Sequence, residues 1–323
     1  MIKNLFSYLL FIAARLGLAA LTIAGVATLV FFGMRLIPGS YADLFFPLAS
    51  EADREAISIE YGLDGSALEQ YILWLGKLLQ GDFGTSLVTN KPVIDEIVQR
   101  LPLTLELGFL ALMIIAFIGF PMGIISGMFH KKWTSQVGRH SSTFLMSIPN
   151  FVLGSLLVYA FSVNSLGLKA GGWAPLSEGL MENLKYAILP AFTLSITGLG
   201  LVLATARSSV LGVIGQDHIL AAVSRGLSPK DIFSKHIFRN ALIPVITIFA
   251  IVAGYLLGGT VLVETVFSLD GVGRLLVNSI TRRDYPVVQI GVILTATAFV
   301  LTNTIADILY GIIDPRVTEK NDG

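Results

Sequence analysis

The sequence predicts an all-α membrane protein of six spanning helices, and three observations carry that expectation. Hydrophobic residues make up 54% of the 323-residue chain and charged ones only 14%, against about 25% charged in soluble domains. Mean hydropathy is +0.76. Six charge-free stretches, 16–34, 107–129, 141–168, 186–206, 241–263 and 287–306, come close to or exceed the roughly 20 apolar residues that carry a helix across hydrocarbon. Backbone amides in hydrocarbon must be paired within the segment, so each stretch is expected to be helical, with Pro121 and Pro149 buried against neighbours. Lys and Arg total 22 and Asp and Glu 22, so the basic excess of a nucleic-acid binder is missing. Cysteine is absent, which excludes disulfides and Cys-ligated metal centres.

The first stretch, in segment 1–34, is longer than a signal-peptide core and no small-residue cleavage site follows it, so it is expected to be retained. Segment 35–106 then carries eleven acids against five bases, too polar to span. Within it, Ser66 and Glu69 form a capping box. Leu68, Tyr71, Ile72, Leu75, Leu78 and Leu79 follow the spacing of one helical face, predicting a short amphipathic helix packed on the bundle or lying in the interface. Gly81 and Gly84 around Asp82 and Phe83 mark a turn. An inert cover and a docking surface for an external partner both fit this segment.

Orientation follows from the short loops. The side holding the N-terminus carries Lys3, Arg15, Lys131, Lys132, Arg139, Arg207, Arg225, Lys230, Lys235, Arg239, Arg316 and Lys320, twelve basic residues against ten opposite. Five of those ten lie in the long first loop, which the positive-inside rule does not count. Both termini are therefore expected in the cytoplasm and the long loop outside. In the spans, Gly119, Gly123 and Gly127, like Gly254 and Gly258, recur every four residues, the spacing of close helix packing. Asn303 and Asp307 stand one helical turn apart near the inner end of the last span.

The cytoplasmic connection 207–240 is long for a compact bundle. Residues 216–225, with Ala221 and Ala222 at their centre, predict a short helix closed by Gly226 in the left-handed conformation. Ser228 is placed to cap a second helix with Pro229 at its first position and Asp231 at its positive end, and that helix is expected to stop before Pro244. Two short helices on a glycine turn make a knob whose Ala-rich tip suits a cleft in another protein. A solvated connector is the plainer alternative.

These residues resemble the cytoplasmic signature of ATP-binding-cassette importer permeases, and the chain as a whole resembles the dipeptide/oligopeptide/nickel branch, in the subunit with the long first external loop. The resemblance rests on IPG (37–39), YGLD (61–64), GDFGTSL (81–87), RLPLTLEL (100–107), SIPNF (147–151), ILPAFTLS (188–195), RSS (207–209), QDH (216–218), RGLSP (225–229), HIFRNALIPV (236–245), ETVFSLDGVGRLL (264–276), RDYPVVQ (283–289) and DILYGIIDPR (307–316), in family order over nearly the full length. The chain departs from the family at Ser40 and Tyr41, at Leu220 before the alanines, at His218, at Val223, Ser224 and Arg225, and at Asp270.

The resemblance implies a type I ABC importer permease fold in a bacterial inner membrane, divided into 1–34, the external loop 35–102, a five-helix core 103–313 containing the coupling loop 207–240, and a cytoplasmic tail 314–323. It implies a second permease subunit, two ABC ATPase subunits, an extracytoplasmic solute-binding protein and membrane lipid as partners, and no nucleic acid. Contact with the ATPases is expected at Asp217, Ala221, Ala222, Arg225, Gly226, Leu227, Ser228, Pro229, Lys230, His236, Asn240 and Pro244, with Ala221, Ala222 and Gly226 entering a cleft for lack of bulk. Contact with the binding protein is expected at Tyr71, Trp74, Asp82 and Phe83. Peptide is the first substrate implied, and a nickel chelate or other small solute the second.

No phosphate-binding G-x-x-x-x-G-K-[ST] loop occurs, and the only Gly-Lys pair, Gly76 and Lys77, lies in the external loop. No cofactor is expected in this chain; ATP and Mg belong to the partner subunits. His130, His140, His218 and His236 all fall outside the spans, so no metal site is expected. The signatures of an intramembrane hydrolase are missing. The spans lack charge through their middles and no internal repeat is evident, which weighs against an ion-coupled carrier.

Overall fold

The computed structural model describes residues 2–36, 50, 51, 53, 65–164 and 167–313, the side chains of 2–9, 257, 306, 307 and 309–313 excepted. The expectations placed on 37–41, on 61–64, on the side chain of Asp307 and on the tail 314–323 lie outside the described residues. In chain order the helices are α1 (Ile2–Arg35), α2 (Ala67–Leu79), α3 (Val93–Ile114), α4 (Phe120–Met128), α5 (Trp133–Ser147), α6 (Asn150–Val163), α7 (Leu180–Ile214), α8 (Asp217–Ser224), α9 (Pro229–Asp231), α10 (Arg239–Val266), α11 (Val272–Thr281) and α12 (Tyr285–Ile313). Among the described residues the only strand-like pairing is a bridge between Thr85 and Pro92. Among the described residues five helical spans are long and apolar enough to cross a membrane, or six when α5 and α6 count as one.

That third span departs from the expected straight helix. α5 and α6 meet at 90°, because Ile148 and Pro149 both take extended backbone and Pro149 lacks the N–H that would continue α5. Proline is handled differently at 121. A π-helical turn, Ile115–Gly119, joins α3 to α4, and the Phe120 N–H donates to the Ile115 carbonyl, five residues back. The wider turn accommodates Pro121 at the start of α4 without a break. Pro121 and Pro149 are both exposed in this chain, not buried as expected; the backbone absorbs each ring locally, so neither needs a neighbour.

The chain divides into two compact units. The first comprises 1–19, 101–274 and 298–323, and α7 is its axis: α4, α5, α6 and α10 all pack on it. Leu194, Leu199, Val202, Leu203, Ala206 and Val210 run along α7 fully or almost fully buried. The glycine spacing explains how α4 approaches. A Cβ on Gly123 would sit 2.6 Å from the Ala206 Cβ and 2.7 Å from the Leu203 carbonyl, and one on Gly127 would sit 2.7 Å from the Val210 Cβ. Gly258 behaves otherwise, since a Cβ there meets nothing within 4 Å.

The second unit comprises 20–100 and 275–297. Here α2 lies on the C-terminal half of α1. Phe31, 1% exposed, packs against the rings of Tyr71 and Trp74 with centroids 5.2 and 5.1 Å away, while the Tyr71 hydroxyl and Thr28 Oγ1 are 2.8 Å apart. The capping box forms as expected: Ser66 Oγ accepts from the Glu69 N–H and Glu69 Oε2 accepts from the Ser66 N–H.

Candidate functional site

The knob assembles from local backbone chemistry. α8 starts one residue later than the spacing suggested, after Gln216, and closes as anticipated. Gly226 has φ +74°, its N–H donates to the Val223 carbonyl at 2.9 Å, and the Leu227 N–H donates to the Ala222 carbonyl at 3.2 Å. This paired closure satisfies carbonyls that the helix end would otherwise orphan. Ser228 then caps α9: its Oγ accepts from the Asp231 N–H at 3.1 Å and donates to Asp231 Oδ2 at 2.6 Å. Lys235 Nζ lies 2.7 Å from Asp231 Oδ1. The hydrogen bond from Lys235, then that from Ser228, hold the Asp231 carboxyl below the ordinary aspartate range.

Two features of the knob differ from expectation. The second helix does not stop before Pro244. A π-helical segment, Ile232–Phe238, carries α9 directly into α10, and α10 continues through Pro244 to Val266. The knob is therefore a direct helical extension of a spanning helix. The alanines also separate. Ala222 is fully buried, in the same core cluster as Ile219, Ile232 and Ile237, whereas Ala221, Ser224, Arg225 and Gly226 are exposed. The outer face carries Leu220 and Val223, 60% and 57% exposed, so it is apolar and not merely small. Asp217, Pro229 and Lys230 are exposed beside it and Leu227 is half-buried. The His218 and His236 rings stand 6.3 Å apart, and the Asn240 amide donates to the His236 carbonyl at 2.8 Å.

Motifs far apart in the chain meet through buried polar groups within each unit. In the first unit, Glu264 is wholly buried; Thr104 Oγ1 donates to its Oε1 at 2.8 Å, and the Arg274 N–H donates to its Oε2 at 2.8 Å. The carboxylate thereby caps the start of α11, and the Val272 N–H donates to Thr104 Oγ1 at 3.0 Å. Glu106 likewise accepts from the Trp173 indole at 3.0 Å and from Asn183 Nδ2 at 2.6 Å, and Arg207 Nη2 donates to Ser135 Oγ at 3.1 Å. In the second unit, Asp284 is nearly buried and accepts from Ser86 Oγ at 2.5 Å and from the Leu87 N–H at 3.1 Å. Sequence reasoning missed Glu264 and Asp284 as anchors: each sits in a recognisable motif, but only the fold pairs it with a partner 160 or 198 positions away.

The residues singled out from the sequence between α1 and α3 divide as well. Tyr71 and Trp74 face α1, leaving Leu68, Ile72, Leu73 and Leu79 as the exposed apolar side chains of α2. Asp82 is exposed, its Oδ1 accepting from the Gly84 N–H at 2.9 Å, and Phe83 is half-buried. Among the described residues no group of three or more His, Asp or Glu side chains is gathered as a metal would require. Asn303 Nδ2 donates to the Phe299 carbonyl one turn back on α12.

Among the described residues the chain is a bundle of apolar helices with a capped two-helix knob built onto one of them, the architecture of a multi-pass membrane protein. The family model for the binding-protein-dependent transport system inner membrane component matches residues 119–319. The chain is 38% identical over 300 residues to the oligopeptide transport system permease protein AppB of Bacillus subtilis, covering 91% of this chain and 94% of the relative. It is 36% identical over 302 residues to the glutathione transport system permease protein GsiC of Salmonella typhi, covering 93% and 95%. It is 35% identical over 339 residues to the di/tripeptide transport system permease protein DppB of Pseudomonas aeruginosa, covering 96% and 99%. The chain belongs to the family of binding-protein-dependent transport system inner membrane components, which are multi-pass permeases of ABC importers and not themselves catalytic.

Proposed function

We propose that the chain is one of two permease subunits of an ATP-driven importer that carries di- and oligopeptides delivered by an extracytoplasmic solute-binding protein. The observation that carries this reading is similarity along more than nine-tenths of the chain to permeases named for oligopeptides, glutathione and di/tripeptides. Glutathione is itself a tripeptide, so all three names describe one chemical class.

Energy comes from two partner ABC ATPases, which bind ATP and Mg. Their closure moves the 207–240 segment, and because α9, the π-helical segment and α10 are continuous, a displacement at the knob passes into a spanning helix without an intervening loop. A conformational change needs a contact that differs between states. The exposed Leu220, Ala221, Val223 and Ser224 supply the apolar part of that contact, with Asp217, Arg225 and Lys230 at its rim. Leu227, Ser228 and Pro229 shape the turn, and His236, Asn240 and Pro244 form the stem. Both termini and the knob are cytoplasmic and the 35–102 loop is external. The binding protein meets that loop around Asp82 and Phe83, where α2, fixed by Tyr71 and Trp74, supports the turn.

Reconstituted vesicles containing both permeases, both ATPases and the binding protein test the assignment. Labelled di- and tripeptides are expected to accumulate only with ATP on the knob side, while accumulation of a nickel chelate with no peptide uptake would reject it.

A further inference from the structure

The bent third span opens a cavity of about 610 Å³ in the first unit. Thr197, Gly254 and Phe299, three of its lining residues, fall near the midpoints of the stretches 186–206, 241–263 and 287–306, so the cavity lies at the depth of the hydrocarbon centre. Polar groups at that depth face protein or a water-filled path, because lipid offers them nothing. Asn150 Oδ1 accepts from Thr197 Oγ1 at 2.9 Å, and its Nδ2 has no partner among the described residues. The Tyr255 hydroxyl, on a side chain 53% exposed, also has none among them. None of the cavity's lining residues is charged.

We infer that this cavity is part of the translocation path and holds the main-chain amide groups of a passing peptide; the inference rests on the function proposed above and adds where in this chain the peptide is held. An amide moved into an apolar site without a hydrogen-bond partner costs about 2–7 kcal/mol, and the Asn150 amide and the Tyr255 hydroxyl offset that cost with neutral donors and acceptors. Neutral groups recognise the backbone common to every peptide, whereas a charged lining would select among side chains.

Gly258 gives the test. Its Cβ direction opens onto free space, so a side chain there narrows the cavity without displacing a neighbour. The chain has no cysteine, so Gly258→Cys introduces a single thiol. In the full transporter, with its other subunits made cysteine-free, Gly258→Leu is expected to abolish uptake of a labelled tripeptide while the complex still co-purifies, and Gly17→Leu, equally free of neighbours, is expected to transport like wild type. Gly258→Cys is expected to lose uptake on reaction with N-ethylmaleimide, and excess tripeptide is expected to slow that reaction. Full uptake by Gly258→Leu, with no peptide protection of Gly258→Cys, would overturn the cavity assignment and leave the importer reading standing. A wild-type complex that imports a nickel chelate and no peptide would overturn both.

Discussion

At Gly226 the chain takes φ +74°, a region that costs a β-branched residue on the order of 1–3 kcal/mol. Gly226→Val is therefore expected to leave membrane insertion intact and to reduce ATP-driven uptake sharply; wild-type uptake by the variant would detach the turn from the transport cycle. Five residues on, Asp231 offers a test by pH. Its carboxyl is held low by Lys235 and Ser228, so its contribution to the knob is complete above the ordinary aspartate pKa and is lost as pH falls through the lower folded value. Limited proteolysis of the solubilised chain is expected to show the knob loosening only below about pH 4. Asp231→Asn should flatten that acid limb, and an unchanged profile would contradict the assignment.

The two alanines of α8 make opposite predictions that the sequence alone merges. Ala222 is buried and Ala221 exposed, so Ala222→Trp overpacks the knob's own support, with a cost of about 1–3 kcal/mol, and should lower the thermal midpoint of the isolated subunit. Ala221→Trp should leave that midpoint unchanged and reduce co-purification of the ATPases. Their neighbouring positions and identical side chains gave no means of telling them apart; only Ala222 shares a buried cluster with Ile219, Ile232 and Ile237.

Among elements, the contact of α4 and the turn before it with α7 was readable in advance because its signal is periodic: three glycines at four-residue spacing are what backbone approach at 2.6–3.1 Å of a missing Cβ requires. Gly123→Val is expected to destabilise the detergent-solubilised chain by about 1–3 kcal/mol through collision with Leu203 and Ala206, as read from its thermal midpoint; a wild-type midpoint would show that the helices stand further apart. The pair Gly254 and Gly258 has the same spacing and a different outcome: Gly254 lies against Phe299 and Gly258 opens into the cavity. Periodicity reports which face is small and leaves open whether a neighbour fills the space. The continuous α9–α10 unit was illegible for a related reason. Pro244 reads as a helix stop when only its own hydrogen bond is counted, but it sits inside α10, which absorbs the one lost bond and runs on to Val266.

Over the described residues, hydropathy located the five helices that can span and, with the bent pair counted as one, the sixth, because the hydrocarbon requirement acts on composition one segment at a time. The 90° bend in the third span escaped the same reasoning. A charge-free stretch with one proline is compatible with a straight helix, a kink or a break, and the break here lies in the extended backbone of Ile148 and Pro149, which hydropathy does not report. The anchors Glu264 and Asp284 were hidden for the complementary reason, since each acid gains its structural meaning only beside a distant hydroxyl, Thr104 or Ser86. The knob was legible because capping is local, and its proposed role unites the rest: a permease without its own nucleotide site is moved through 217–240.

Ser224→Cys tests this most directly, since the residue is exposed on the knob and would carry the sole thiol of the chain. In assembled complexes, a short thiol-to-amine cross-linker is expected to join this position to an ATPase subunit, and ATP is expected to change the yield. Labelling of the same thiol by a membrane-impermeant reagent from outside intact cells, with no cross-link to the ATPase, would contradict the account.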